Sequence, residues 1–133
     1  MINLLAILYV MGAFIYFYSH RSGYSLLRYM YKRKNINVLL SVEIIFMIIT
    51  SFIVFTNQPL NWIVALIMLL HIAGIAWIVS NPENYYEMIE ESLVGGEELA
   101  ENIVVITQIV FAILVLYSKV ISVSYTHLRA HET

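Results

Sequence analysis

Apolar and polar segments alternate along this chain in long blocks. Four apolar runs cover residues 2–19, 36–56, 60–80 and 102–122, and polar residues are concentrated between them. Each run is close to the about 20 residues that an α-helix needs to cross a bilayer, and none has the alternation of a barrel strand. Helices also satisfy every backbone polar group in hydrocarbon. The pattern predicts an all-α integral membrane protein, a four-helix transmembrane bundle with short amphipathic cytoplasmic segments.

Composition supports this class. Of the 133 residues, 61% are hydrophobic and 12% are charged, whereas soluble domains are about 45–50% apolar and about 25% charged. The chain has no cysteine, which excludes disulfides, thiolate metal sites and dithiol redox chemistry. The first run has no basic residue before it and no small-residue cleavage pattern after it, so we expect a retained helix and not a signal peptide.

Charged residues divide into two loops of opposite sign. The basic loop lies between the first two runs and has five basic residues and no acidic one: Arg21, Arg28, Lys32, Arg33 and Lys34. The acidic loop lies before the last run and has seven acidic residues and no basic one: Glu83, Glu87, Glu90, Glu91, Glu97, Glu98 and Glu101. Lysine and arginine near helix ends favour the cytoplasm, and acidic residues contribute little to orientation. We therefore expect both loops in the cytoplasm, the N-terminus outside, and a multi-pass protein of the cell membrane.

The loops have features of short surface helices. Asn81-Pro82-Glu83 is typical of a helix start, with Asn as the cap and Pro at the first position, and a break follows at Gly95-Gly96. We expect the basic loop to bind anionic lipid headgroups, with pairing between the basic and acidic loops as the alternative. Nucleic-acid binding fits poorly, because basic residues at a membrane face are already needed for topology.

One group of polar residues lies inside the apolar runs. Glu43 is about eight residues, and His71 about nine, from the cytoplasmic ends of their helices, which places both at a depth of about 12–14 Å. The two helices are expected to be an antiparallel hairpin, so these ionisable groups share one depth. Tyr9 and Gln108 are candidate neighbours from the first and last helices, and Thr50 extends the polar side of the second helix.

The Glu43–His71 pair has two interpretations. A charge at mid-bilayer costs about 2.5–3.5 kcal/mol on the translocon scale, so Glu43 should face the bundle interior, pair with His71 or take up a proton. The pair is then either an interhelical hydrogen bond that fixes packing or a step in a proton or cation pathway. The favoured function is a non-enzymatic accessory or interaction subunit that binds a membrane-protein partner or a second copy. The alternative is a proton- or cation-coupled transporter or channel, or the N-terminal part of one.

Other chemistry has little support. A bis-histidine haem needs two histidines at one level, but His20 lies at the membrane edge, so we expect no haem. Glu43 and His71 are too few ligands for a metal site, and the acidic loop lacks the ligand spacing of an EF-hand, which favours a solvated helix face. No nucleophile motif is present. We expect neither a cofactor nor an enzymatic activity.

The last eleven residues, VSYTHLRAHET at 123–133, resemble one translated reading frame of a transposase-type sequencing adapter. The resemblance covers these residues and no others. It implies that the segment is a library artefact, to be excluded from fold reasoning like a fusion scar. It also implies that the natural gene continues past Ser122, so that the chain is a truncated fragment.

Overall fold

The computed structural model describes residues 2–23, 26–30, 32–57, 60–94 and 96–132, with the backbone alone for residues 27, 28, 33, 97 and 122–132. Six α-helices follow one another in this part of the chain: α1 (Ile2–Arg21), α2 (Leu26–Met30), α3 (Ile36–Thr56), α4 (Trp62–Ser80), α5 (Pro82–Val94) and α6 (Glu97–Glu132). A 3-10 turn at Arg33–Asn35 leads into α3. The described residues contain no strand.

Four helices of the described chain are long and apolar enough to cross a membrane: α1, α3, α4 and the Glu98–Ile121 part of α6. The predicted all-α membrane bundle is therefore confirmed. The bounds of α3 agree with the predicted run, whereas α1 continues to Arg21 and α6 begins already at Glu97. The backbone of α6 stays helical through residues 123–132, the segment that resembles the adapter.

Asparagine side chains mark the starts of two helices. Asn61 Oδ1 accepts a hydrogen bond of 3.1 Å from the backbone N–H of Val64, so α4 begins at Trp62. The predicted run begins two residues earlier, at Leu60, but Leu60 and Asn61 are not helical. Asn81 Oδ1 accepts a hydrogen bond of 3.3 Å from the N–H of Asn84, and the predicted start of α5 at Pro82 is confirmed.

The spanning helices pack as two antiparallel pairs. The closest neighbours are α1 with α6 and α3 with α4, and contacts between the two pairs are fewer. We call the end of the bundle with Ile2, Asn57 and Asn61 the turn end, and the end with Arg21, Asn35 and Asn81 the loop end. This arrangement leaves a seam between the α1–α6 pair and the α3–α4 pair.

Two clusters of buried apolar residues lie at different levels of the bundle. The larger cluster lies toward the turn end and draws residues from all four spanning helices: Leu5, Ala6, Tyr9, Ile53, Val54, Val64, Ile67, Ala112 and Val115. The smaller cluster lies at the loop end and consists of Met30, Leu39 and Ile78. Most other apolar side chains on the spanning helices are exposed, as expected for surfaces that face lipid.

The short helix α5 is amphipathic. Tyr86 and Ile89 are buried, whereas the four glutamates of α5 are exposed: Glu83, Glu87, Glu90 and Glu91. Asn84 Oδ1 also accepts a hydrogen bond of 3.0 Å from Trp77 Nε1 of α4. The apolar side of α5 therefore packs on the loop end of the bundle, and its acidic side points away from it.

Candidate polar centre of the bundle

Glu43 and His71 are in direct contact, and Tyr9 extends the contact to a third helix. His71 Nδ1 lies 2.7 Å from Glu43 Oε2, and His71 Nε2 lies 2.7 Å from the Tyr9 hydroxyl oxygen. These distances are within the range of strong hydrogen bonds. Because Tyr9 belongs to α1, His71 to α4 and Glu43 to α3, the three side chains form one polar chain across the seam.

The polar chain can hold its protons in two arrangements. With an ionised Glu43, the Tyr9 hydroxyl donates to Nε2 of His71, and the Nδ1–H group donates to the carboxylate. With a protonated Glu43, the carboxyl donates to Nδ1, and the Nε2–H group donates to the Tyr9 oxygen. Both arrangements keep both hydrogen bonds, so a proton can be gained or lost at Glu43 without breaking the polar chain.

Aromatic rings enclose the Tyr9 side of the polar chain. The Phe46 ring stacks on Tyr9 with centroids 4.7 Å apart and on His71 with centroids 5.3 Å apart. Phe111 of α6 meets Tyr9 edge to face at 5.4 Å. Such ring pairs stabilise by about 0.5–1.5 kcal/mol beyond the area that they bury. The rings fix the orientations of the His71 imidazole and the Tyr9 phenol. The Tyr9 side chain is only 2% exposed.

The Glu43 side of the polar chain is more open. The Glu43 side chain is 27% exposed, compared with 11% for His71. Gly74, one turn after His71, leaves space here, because a Cβ at this position would lie 3.9 Å from Glu43 Oε2. This distance is an ordinary van der Waals contact, so an alanine would also fit at this position.

Thr50 and Gln108 do not join the polar chain by hydrogen bonds. The Thr50 hydroxyl donates to backbone carbonyls of its own helix, at Phe46 (2.8 Å) and Met47 (3.0 Å). Gln108 lies against Gly12 of α1, and its buried Oε1 accepts no hydrogen bond from the part of the chain that the structure describes. The Thr50 hydroxyl is therefore satisfied by the backbone of α3. Gln108 lies where α1 and α6 approach each other closely.

Apolar residues lie on both sides of the polar chain along the bundle axis. Toward the turn end, the larger apolar cluster follows directly on Tyr9, with Leu5, Val64 and Ile67 nearly inaccessible. Toward the loop end, Leu39 and Ile78 of the smaller cluster are 6% and 1% exposed. In the described residues, apolar side chains therefore follow the polar chain toward the turn end on all four spanning helices, and toward the loop end on α3 and α4.

Two further polar contacts join helices near the turn end, and the sequence did not single them out. Asn61 Nδ2 donates a buried hydrogen bond of 3.0 Å to Ser118 Oγ of α6. Lys119 Nζ donates to Asn3 Oδ1 of α1 over 3.1 Å. The sequence signal was present, because all four residues lie at the ends of predicted spans that meet at one membrane face.

The charged loops are partly described. Arg21, Lys32 and Lys34 of the basic loop are exposed, and the side chains of Arg28 and Arg33 lie outside the described residues, as does that of Glu97 in the acidic loop. Glu98 is exposed like the glutamates of α5.

Glu101 corrects the expectation that the whole acidic loop is a solvated face. Its side chain is 1% exposed, because α6 begins at Glu97 and packs along the last turns of α1. Glu101 therefore belongs to the interface of two spanning helices. Within the described residues, no group of three or more His, Cys, Asp or Glu side chains could hold a metal ion.

Comparisons with known proteins identify no relative of this chain. No protein family, no curated protein and no solved structure has a significant match to the chain.

Proposed function

We propose that this chain is a small polytopic protein of the cell membrane that acts without catalysis, as an accessory or interaction subunit. In this proposal the polar chain Tyr9–His71–Glu43 fixes how the two helix pairs pack. The observation that carries the proposal is the position of the polar chain. The polar chain bridges the seam between the two helix pairs, where contacts are fewer than within each pair. A hydrogen-bonded link across a sparse interface sets one relative arrangement of the pairs, which a bundle of uniformly apolar helices lacks.

The larger apolar cluster on the turn-end side favours packing over conduction. A proton or cation path must cross about 30 Å of hydrocarbon, and polar or ionisable side chains normally line such paths. Here the larger apolar cluster follows Tyr9 toward the turn end, and Leu39 and Ile78 lie toward the loop end. The polar chain thus lacks a described polar continuation toward the turn end, whereas Gln108 and Glu101 of α6 lie on the way to the loop end.

Proton- or cation-coupled transport is the second candidate. Two observations favour it: the Glu43 side chain is 27% exposed, and the polar chain keeps both hydrogen bonds in either protonation arrangement. Glu43 would then take up a proton from the open side and share it with His71. This candidate requires a conformation in which the larger apolar cluster opens.

The acidic side of α5 is the surface that we assign to a partner. Glu87, Glu90 and Glu91 are exposed on one side of the helix, while its other side is anchored by Tyr86 and Ile89. An anchored helix with several exposed carboxylates offers a rigid negative surface to a basic segment of another membrane protein or of a second copy. Under the positive-inside rule this surface faces the cytoplasm and the N-terminus lies outside. Lys32 and Lys34 of the basic loop are exposed, which supports an attraction of this loop to anionic headgroups.

Site-specific photocrosslinking in cells tests the proposal. A photoreactive residue at Glu90 should form a discrete protein adduct, whereas the same residue at Asn57, exposed at the turn end, should not. The double variant Glu87→Lys and Glu91→Lys should abolish the adduct, because like charges then oppose a basic partner. An adduct of twice the chain mass identifies a second copy. Absence of an adduct at Glu90, or an adduct insensitive to charge reversal, would contradict the proposal.

A further inference from the structure

A polar cavity lies between α1 and α6 at the loop end. Its volume is about 240 Å³, which is smaller than the about 300–1,000 Å³ of pockets for drug-sized ligands. The walls combine aromatic residues with charges of both signs: Tyr16, Phe17, His20, Arg21, Glu98 and Glu101. The size and the lining suit a small polar group that carries more than one charge.

The two exposed charges of the cavity, those of Arg21 and Glu98, do not form an ion pair with each other. The Arg21 guanidinium lies over the Phe17 ring, 5.4 Å from its centroid, and it has no ion-pair partner among the residues that the structure describes. The same holds for Glu98. Glu101 adds a carboxylate that is 1% exposed at the back of the cavity. Arg21 and Glu98 are exposed, so a ligand can reach both.

The position of the cavity indicates where such a ligand comes from. Arg21 is the last residue of α1, and Glu98 begins the apolar span of α6, so both lie where spanning helices pass into the headgroup region of a bilayer. Lipid headgroups are the charged groups present at this depth. Arginine binds phosphate through parallel N–H groups, and carboxylates accept hydrogen bonds from an ammonium group.

We propose that this cavity binds the phosphate–ammonium headgroup of an ethanolamine-type lipid, with Arg21 on the phosphate and Glu98 on the ammonium. A purely anionic group would face the Glu98 and Glu101 carboxylates, and a purely cationic group would face Arg21. A choline headgroup carries both charges, but its quaternary nitrogen has no N–H to donate. An ethanolamine headgroup has a phosphate for Arg21 and a primary ammonium that can donate to Glu98. We therefore expect the cavity to prefer ethanolamine lipids over other lipids.

Lipid binding to the purified full chain in detergent, measured by native mass spectrometry, tests the site. The probes are phosphatidylethanolamine, phosphatidylglycerol and phosphatidylcholine of identical acyl chains. The wild type should retain the ethanolamine lipid best. Glu98→Gln should weaken its binding by about tenfold, the effect of one charge-assisted hydrogen bond, and bring it to the level of the glycerol lipid. Arg21→Gln should weaken both lipids. Lys119→Gln, which removes a basic residue at the turn end, is the matched control and should change neither.

A competition experiment and a check of the fold complete the test. Free phosphoethanolamine added in excess separates the sources: displacement of the lipid indicates a soluble ligand of the same chemistry, and no displacement indicates that the acyl chains are needed. Helical content by circular dichroism checks the fold of each variant, and the comparison of headgroups on the wild type does not depend on any variant. Equal retention of the three lipids, or equal effects of Lys119→Gln and Glu98→Gln, would overturn the proposal.

Discussion

Replacing Glu43 and His71 together should destabilise the bundle less than the sum of the two single replacements. In Glu43→Leu, Nδ1 of His71 loses its partner at 2.7 Å. In His71→Leu, both the Glu43 carboxyl and the Tyr9 hydroxyl lose theirs. A buried polar group without a partner carries its full desolvation penalty, whereas removing both partners avoids it.

The magnitude of the coupling follows from the one bond that the pair shares. Interhelical hydrogen bonds in membranes stabilise by about 0.6 kcal/mol on average and by at most about 1.7 kcal/mol. The stacking of His71 on Phe46 is lost both in the single histidine variant and in the double variant, so this contribution cancels in the cycle. We therefore expect a coupling free energy of roughly 0.5 kcal/mol or more between Glu43→Leu and His71→Leu.

Unfolding in mixed micelles with increasing dodecyl sulfate, followed by circular dichroism, measures this coupling. The control cycle combines Glu43→Leu with Ser118→Ala, because Ser118 bonds to Asn61 near the turn end and has no contact with the polar chain. The control should be additive within about 0.3–0.5 kcal/mol. If the Glu43–His71 cycle is as additive as the control, the contact does not hold the helix pairs together and our reasoning is refuted.

Two other predictions concern topology and helix packing. The chain has no cysteine, so a single cysteine at Asn57 should react with an impermeant thiol reagent on intact cells and one at Ser92 should not; the reverse pattern would invert the orientation. Gly12→Ala should leave the bundle less stable than Gly74→Ala by about 1 kcal/mol, because the new Cβ would lie 2.6 Å from Gln108 Oε1 and the Gln108 side chain must shift, while the gain in helix propensity is the same for both variants. The matched variant Gly74→Ala has its nearest neighbour at 3.9 Å and should be tolerated, and Gln108→Ala should rescue Gly12→Ala in the same unfolding assay.

Hydropathy alone predicts the spanning helices well and their pairing poorly. The bounds of α3 follow from the sequence, because an apolar run long enough to cross a bilayer can satisfy its backbone polar groups in hydrocarbon in few ways other than a helix. The packing of α1 on α6 does not follow. These helices are apolar on most sides, so no apolar stripe indicates which face meets a neighbour. Chain order suggests only that α3 and α4 form a hairpin.

The polar centre could be predicted in part, for a similar reason. Equal depth on antiparallel helices brings Glu43 and His71 to one level, and this argument needs only the rise of a helix. Depth does not determine the rotation of a helix about its axis, which decides that Tyr9 reaches His71 while Thr50 bonds to its own backbone. Glu101 was grouped with the solvated loop because its neighbours in sequence are acidic, but its burial comes from the contact of α6 with α1.

Proton flux into sealed vesicles under an imposed pH gradient tests the central claim most directly, namely that the polar chain Tyr9–His71–Glu43 is a packing device. Vesicles with the reconstituted full chain should show no flux above empty vesicles, because the larger apolar cluster separates the polar chain from the turn end. A protonophore added at the end of each run shows that the gradient was intact. A wild-type flux that Glu43→Gln abolishes, in a variant with unchanged helical content, would contradict the account and establish the polar chain as part of a proton path.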